Sequence, residues 1–532
     1  MTNNRTTKEG KGKGKGKGKE KGKEKEKEKE NLYIVGLKLM NSGKYLESIQ
    51  QFKAHLKQNP QDHEAFFSRS LSYYKINSMK KAEKDLSAAL SIKPDYCKAL
   101  ILRGNVKNLQ GDFSKSISDY TRALELRPNK FGALYNRAVV YRKQQKYELA
   151  INDWDLIIQD RPDYAIAFFN RGCSNLLLGR IKKAYKDFSE AIFLDPSYSE
   201  AYYNRSIIYL NRELPVKAIR DLNKTIQFTP RYARAYLSRG VAYLSKRQYE
   251  KAIKDFKLCL GIDPNSADAL FNLGIAYHCS EKNYKLALQM FEKVCKLDPK
   301  NSLAFFNCGL LYQKLSQAPK AIHFYTKAIE LKYNLAYYQR GIAYRENKEY
   351  TNAINDCTRA LEVGELEKNI IYLNRALSYT DNGQYENAIM DYTRVIEKDP
   401  NNLQAYFNRG NAYRKSQQID LAIEDYSKAI DINENFAPAY NNRAISFHIN
   451  GSYEQALYDY TKAIHLNSKN PDFFINRGLT YKNKNRYENA KSDFEKSLLL
   501  DGNYQLAKDY LEEINSIISN LSSKRKKSKR KK

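Results

Sequence analysis

Tryptophan is almost missing from this 532-residue chain: Trp154 stands alone. No apolar run reaches the roughly 18 residues that span a bilayer, so no transmembrane segment is expected. The N-terminus has charge but no apolar stretch behind it, which excludes a secretory signal. The seven cysteines are odd in number and never spaced CxxC. They are predicted to be reduced thiols of a cytoplasmic protein. The six histidines never fall as HxxxH or HExxH, so no metal site is expected. No nucleophile–base constellation or phosphate-binding loop appears. The "KGKG" run lacks the flanking strand and helix that a phosphate cradle needs. Only 30 residues follow residue 502, too few for a catalytic domain. No enzymatic activity, cofactor or small-molecule substrate is therefore expected.

Charge, by contrast, is plentiful and uneven. The net charge is +31. Residues 1–30 are rich in Lys, Gly and Glu, hold almost nothing to bury, and read as a disordered tail. "KRKKSKRKK" closes the chain, and residues 522–532 read as a second, basic tail. Both are solubilising, or serve as an import signal or a tether to an acidic partner. Between them, 42% hydrophobic residues over the whole chain suffice for a core.

That middle is periodic. Prolines recur at Pro60, Pro94, Pro128, Pro162, Pro196, Pro230 and Pro264, each 34 residues after the last. A small residue keeps the same beat from Gly36 to Gly478 and marks fourteen repeats. A period of this length signals a solenoid. Within one repeat, "AYFNRGNAYRKSQQ" and "IDLAIEDYSKAIDIN" each carry apolar or small residues at helical spacing. Each repeat is thus a helical hairpin, and proline stops its second helix. The beat falters between about 279 and 369, where the stacking is expected to change and to divide the array into two binding segments. The amphipathic stretch 503–521 reads as a capping helix.

In repeat 12 the signature residues are Tyr406, Gly410, Tyr413, Ala422, Tyr426 and Ala429. This pattern resembles the tetratricopeptide repeat (TPR), over residues 31–502. The resemblance implies an all-α, right-handed superhelical solenoid whose first helices line a concave face. It further implies a scaffold that binds other proteins as extended segments or helices.

Two columns ask for an explanation. With the small residue numbered position 8, position 7 is Arg in eleven repeats, from Arg69 to Arg477. Position 23 is Asp in the same eleven, from Asp85 to Asp493. The other three repeats lack both, holding Val35 with Gln51, Leu273 with Met290, and Cys308 with Phe324. Joint absence predicts a structural ion pair within each hairpin, because losing one partner of a buried pair is costly whereas replacing both is not.

Position 6 is Asn136, Asn170, Asn204, Asn272, Asn307, Asn374, Asn408, Asn442 and Asn476. These asparagines have no co-varying column. By the resemblance, position 6 faces the concave groove with positions 2, 5, 9 and 12. An amide pairs a donor with an acceptor and so matches one peptide unit. The column is either a binding ladder for a partner's backbone or a set of packing residues. Neighbouring positions 5, 9 and 12 are apolar in the middle repeats, as in Phe169, Cys173 and Leu176. Some family members clamp acidic chaperone tails with Lys at position 5 and Asn at 9. Here Asn105 and Asn411 follow Ile101 and Phe407 instead, so that clamp is not expected. The leading expectation is a non-enzymatic adaptor in the cytoplasm, in a cytoskeletal or ciliary assembly. The alternative is a nuclear or RNA-associated protein that uses its basic tails.

Overall fold

The computed structural model describes residues 32–280 and 283–529, with side chains up to residue 523. Residues 1–30, expected to form the first tail, lie outside the described residues. Those described form twenty-nine helices and no strand. Two compact bodies result, Met1–Asp263 and Pro264–Lys532. The first holds repeats 1–7 and the second holds repeats 8–14 with a final helix. This boundary falls at the start of repeat 8, within whose turn the irregular stretch at 279–369 that the sequence singles out begins.

Each repeat is an A helix and a B helix, from Leu32–Asn41 and Tyr45–Gln58 in repeat 1 to Pro471–Asn483 and Tyr487–Leu500 in repeat 14. Buried alanines such as Ala235 and Ala252 line the A–B seam and let the helices approach closely. The turn depends on a feature the sequence hides. In thirteen repeats the residue at position 15 has a left-handed backbone, and only Gly43, Gly111, Gly179, Gly383 and Gly451 are glycines there. At Gly111 this conformation lets its own N–H bond Asn108 and the next N–H bond Lys107, which satisfies the last carbonyls of the A helix.

A close approach at position 8 fixes helix spacing. A Cβ added to Gly240 would stand 2.5 Å from Phe256 Cε1. Where Leu86 and Leu222 replace the ring, Ser70 and Ser206 replace the glycine. Alanine faces a ring at Ala138, Ala376 and Ala444, so the hairpin survives some displacement of the ring. Gly240→Ser should therefore cost about 1–3 kcal/mol. Adding Phe256→Leu should recover at least about 0.5 kcal/mol of coupling. Denaturant titration of the four proteins checks this, and additive losses would refute the contact.

In the irregular region helix length changes. The B helix Ala318–Glu330 has 13 residues and the next A helix, Ala336–Glu346, has 11. Lys332 between them is left-handed. The final helix runs Gln505–Lys529, well past the expected end at 521. Nothing in "SSKRKKSK" stops a helix, because the run has neither Gly nor Pro. Ala507 and Ile514 are buried with Ile475, Ala490 and Phe494 of repeat 14, and Tyr510 stacks on Phe494.

Candidate functional site: the first-helix face

The Arg column faces inward. All eleven arginines bind the Asp sixteen residues later in the same hairpin, at 2.6–2.8 Å. Every one of these carboxylates is 5% exposed or less. The pairing is a fork: Arg205 Nε donates to Oδ2 of Asp221 and Nη2 to Oδ1, at 2.7 and 3.0 Å. Burial alone would lower the Arg205 guanidinium, but its bonds to Asp221 outweigh that and hold it raised. Around Asp153 burial wins, and the carboxyl is pushed up against the pull of Arg137. The rings of Tyr406 and Tyr413 flank the Arg409 fork.

A third column was legible in the sequence and missed. The remaining Nη1 of ten arginines donates to position 25 of the preceding repeat at 2.6–3.4 Å. The acceptors are Ser, Thr, Asp or Asn, as in Ser189 and Asn223. Repeats 8 and 9 have no Arg, and Lys257 and Glu292 precede them at position 25. Each of these ten arginines thus ties its own hairpin to the one before it. In repeat 9 buried Cys308 replaces the Arg, and Phe324 stacks on Tyr312 with centroids 5.2 Å apart.

The asparagines divide into groups. Asn204, Asn272, Asn307 and Asn374 donate Nδ2 to the carbonyl four residues back, at 2.8–3.0 Å, and Asn374 Nδ2 also donates to the Tyr338 hydroxyl of the preceding repeat at 2.7 Å. This local bond turns the amide so that Oδ1 is the remaining acceptor. Asn136 and Asn442 donate instead to Oδ1 of Asn105 and Asn411 in the preceding repeat, both at 2.8 Å. Those same acceptors also take the hydroxyls of Tyr120 and Tyr426. Asn476 donates to Asn441, and Asn170 accepts from Arg142 while donating to Ile166. Asn408 is buried, and its Nδ2 has no partner among the described residues. The premise that the column lacks partner residues is therefore corrected. At Asn136, Asn442 and Asn476 the partner is another Asn, one repeat earlier at position 9 or 5. None of the nine is fully exposed.

Around this column the A helices present half-buried apolar side chains. Phe169, Cys173 and Leu176 rest partly on the core of repeat 5, and Tyr203 and Leu210 on that of repeat 6. Burial pushes the Cys173 thiol up to about 11, so it stays neutral. Among the described residues no group of three His, Cys, Asp or Glu is placed to hold a metal ion. No helix among them is long and apolar enough to cross a membrane.

No curated protein matches the chain. Among solved structures it is similar to the APC/C hetero-tetramer Cut9-Hcn1, with 14% identity, 85% of this chain and 96% of that one covered, and a TM-score of 0.36. It is also similar to Naa15/Naa10 bound to HypK-THB (14% identity, 93% and 97% covered, TM-score 0.37). A third is yeast Tom70 (17%, 81% and 97%, 0.34). Models described as tetratricopeptide repeat match residues 36–96, 132–164, 233–266, 267–301, 336–363, 403–436 and 471–504. A TPR repeat model matches 104–145, 376–417 and 446–485. Together these matches span more than half of the chain and fall on the hairpins described above, and the chain belongs to the tetratricopeptide repeat family.

Proposed function

We propose that this protein is a non-enzymatic adaptor that holds extended partner segments along its A helices. The observation that carries the reading is the Asn272 and Asn307 pair of the successive repeats 8 and 9 in the second body. Each turns one N–H back onto its own helix, which leaves its carbonyl oxygen open beside half-buried apolar side chains. Such a row accepts hydrogen bonds from the N–H groups of an extended backbone, while apolar neighbours set side-chain preference. A cytoplasmic setting, in a cytoskeletal or ciliary assembly, belongs to the same proposal.

The test is peptide selection on the full-length chain from a random twelve-residue library, then affinity measurement. Asn272→Ala and Asn307→Ala together should keep the melting temperature, because alanine is the better helix former. They should weaken selected peptides by about fivefold or more, at about 0.5–1.5 kcal/mol per lost bond. Asn136→Ala and Asn442→Ala should instead lower the melting temperature, because they cut ties between repeats. Unchanged peptide affinity in the double variant would remove the ladder.

A further inference from the structure

The folded charge is one-sided. Residues 32–263 carry 40 Lys and Arg against 23 Asp and Glu, whereas residues 264–523 carry 31 of each. The excess of the first body gathers on the outer stripe of three successive B helices, Ile181–Leu194, Pro215–Phe228 and Tyr249–Ile262. Positions 19 and 22 lie on one helical face. They are Lys183 and Lys186, then Lys217 and Arg220, then Lys251 and Lys254, all exposed. The ties Arg205–Ser189 and Arg239–Asn223 set the three helices side by side, so the six cations form two rows that cross them. None of the six is ion-paired. The ion pairs of repeats 5–7 use Arg171, Arg180, Arg205 and Arg239 instead. On these stripes Glu190 is the one acid, with Glu213 and Glu250 at the edges. Phe193 continues the first stripe a further turn along and is 77% exposed.

The geometry points to a single-stranded nucleic acid lying across these B helices, a surface separate from the A-helix face. Rows of unpaired cations neutralise a phosphate backbone without reading sequence, and an exposed ring beside them gives a base a stacking platform. An acidic peptide would use the cations but gain nothing specific from Phe193.

The probe is a fluorescein-labelled 30-mer oligouridylate, titrated against the full-length chain by anisotropy over a salt series. Replacing the six cations by glutamine should lower the log–log salt slope by about four, at roughly 0.7 per phosphate contact. Affinity at low salt should fall at least about tenfold. Phe193→Ala should weaken binding about fivefold or more and leave the slope unchanged, because stacking carries no charge. Lys217→Gln with Lys251→Gln lowers the slope by more than one even if the sixfold variant fails to fold. A control replaces six cations within 524–532 by glutamine. A slope loss there equal to that of the rows would assign binding to net charge and overturn the proposal. So would a 30-residue polyglutamate, an anionic phosphatidylserine vesicle or a 30-base-pair duplex that binds as tightly as the RNA.

Discussion

Arg137→Leu is expected to destabilise the N-terminal body by about 3–5 kcal/mol, because it strands a carboxylate that is 2% exposed. Arg137 bonds Asp153 at 2.9 and 2.7 Å and reaches Thr121 of the preceding repeat at 3.0 Å. Even paired, Asp153 is pushed up by burial; without Arg137 only burial remains. Its folded pKa then exceeds its unfolded value, so the folded state binds the proton more readily. The loss is fullest above the raised pKa and is relieved as pH falls through it toward the ordinary carboxylate range near 4. Asp153→Met added to Arg137→Leu copies the Leu273 and Met290 arrangement of repeat 8. It should bring the cost below about 1.5 kcal/mol and abolish that pH dependence. Trp154, the chain's one tryptophan, follows Asp153 directly, and its fluorescence during denaturant titration reports this body. Additive losses in the double variant, or a single variant insensitive to pH, would show that the pair is not coupled.

Trp154→Ala should cost a similar amount, about 3–5 kcal/mol, for a different reason. The indole is fully buried, set edge-on to Tyr135 with centroids 5.3 Å apart. It packs among Leu134, Ala138, Ala150 and Ala167, which join repeat 4 to repeat 5. Removing it leaves a cavity that three helices border and cannot close without giving up the Arg ties. Trp154→Phe should be far milder, within about 1.5 kcal/mol. The indole Nε1 has no hydrogen-bond partner among the described residues, so no bond is lost. Phe188, Phe256 and Phe494 fill the same place in other repeats. Helical circular dichroism during denaturation reads both variants. An alanine variant as stable as the phenylalanine one would show that the pocket collapses freely.

Period and co-variation made the hairpins, their number and the Arg–Asp pairing legible, because those features answer to contacts inside one repeat. Like Arg137 and Asp153, the two residues sit sixteen apart in all eleven repeats that carry them, so pairing leaves a trace that chain position alone reveals. The third bond, to Thr121, leaves a fainter trace: Ser, Thr, Asp and Asn serve equally, and the column does not read as one residue type. The turn at position 15 was illegible for a related reason. A left-handed backbone is enforced by the closing hydrogen bonds of the A helix, so Gln145, Arg247 and Lys348 adopt it as glycine does.

The asparagine column marks where sequence stopped. One letter in one repeat position takes several hydrogen-bonding roles. Asn272 turns back on its own helix, while Asn136 reaches across to Asn105, a choice made by what the preceding repeat offers. The cation rows are similar: Lys183, Lys217 and Lys251 are ordinary helix-surface lysines until their helices are laid side by side. The sequence by itself determined the repeat, its hairpin and its buried ion pairs, because local spacing encodes them. Only the tertiary structure decided which amides keep an open acceptor and which charges form a row, because both depend on which side chains of the neighbouring repeat come within reach, 31 or 36 residues away for two of the amides.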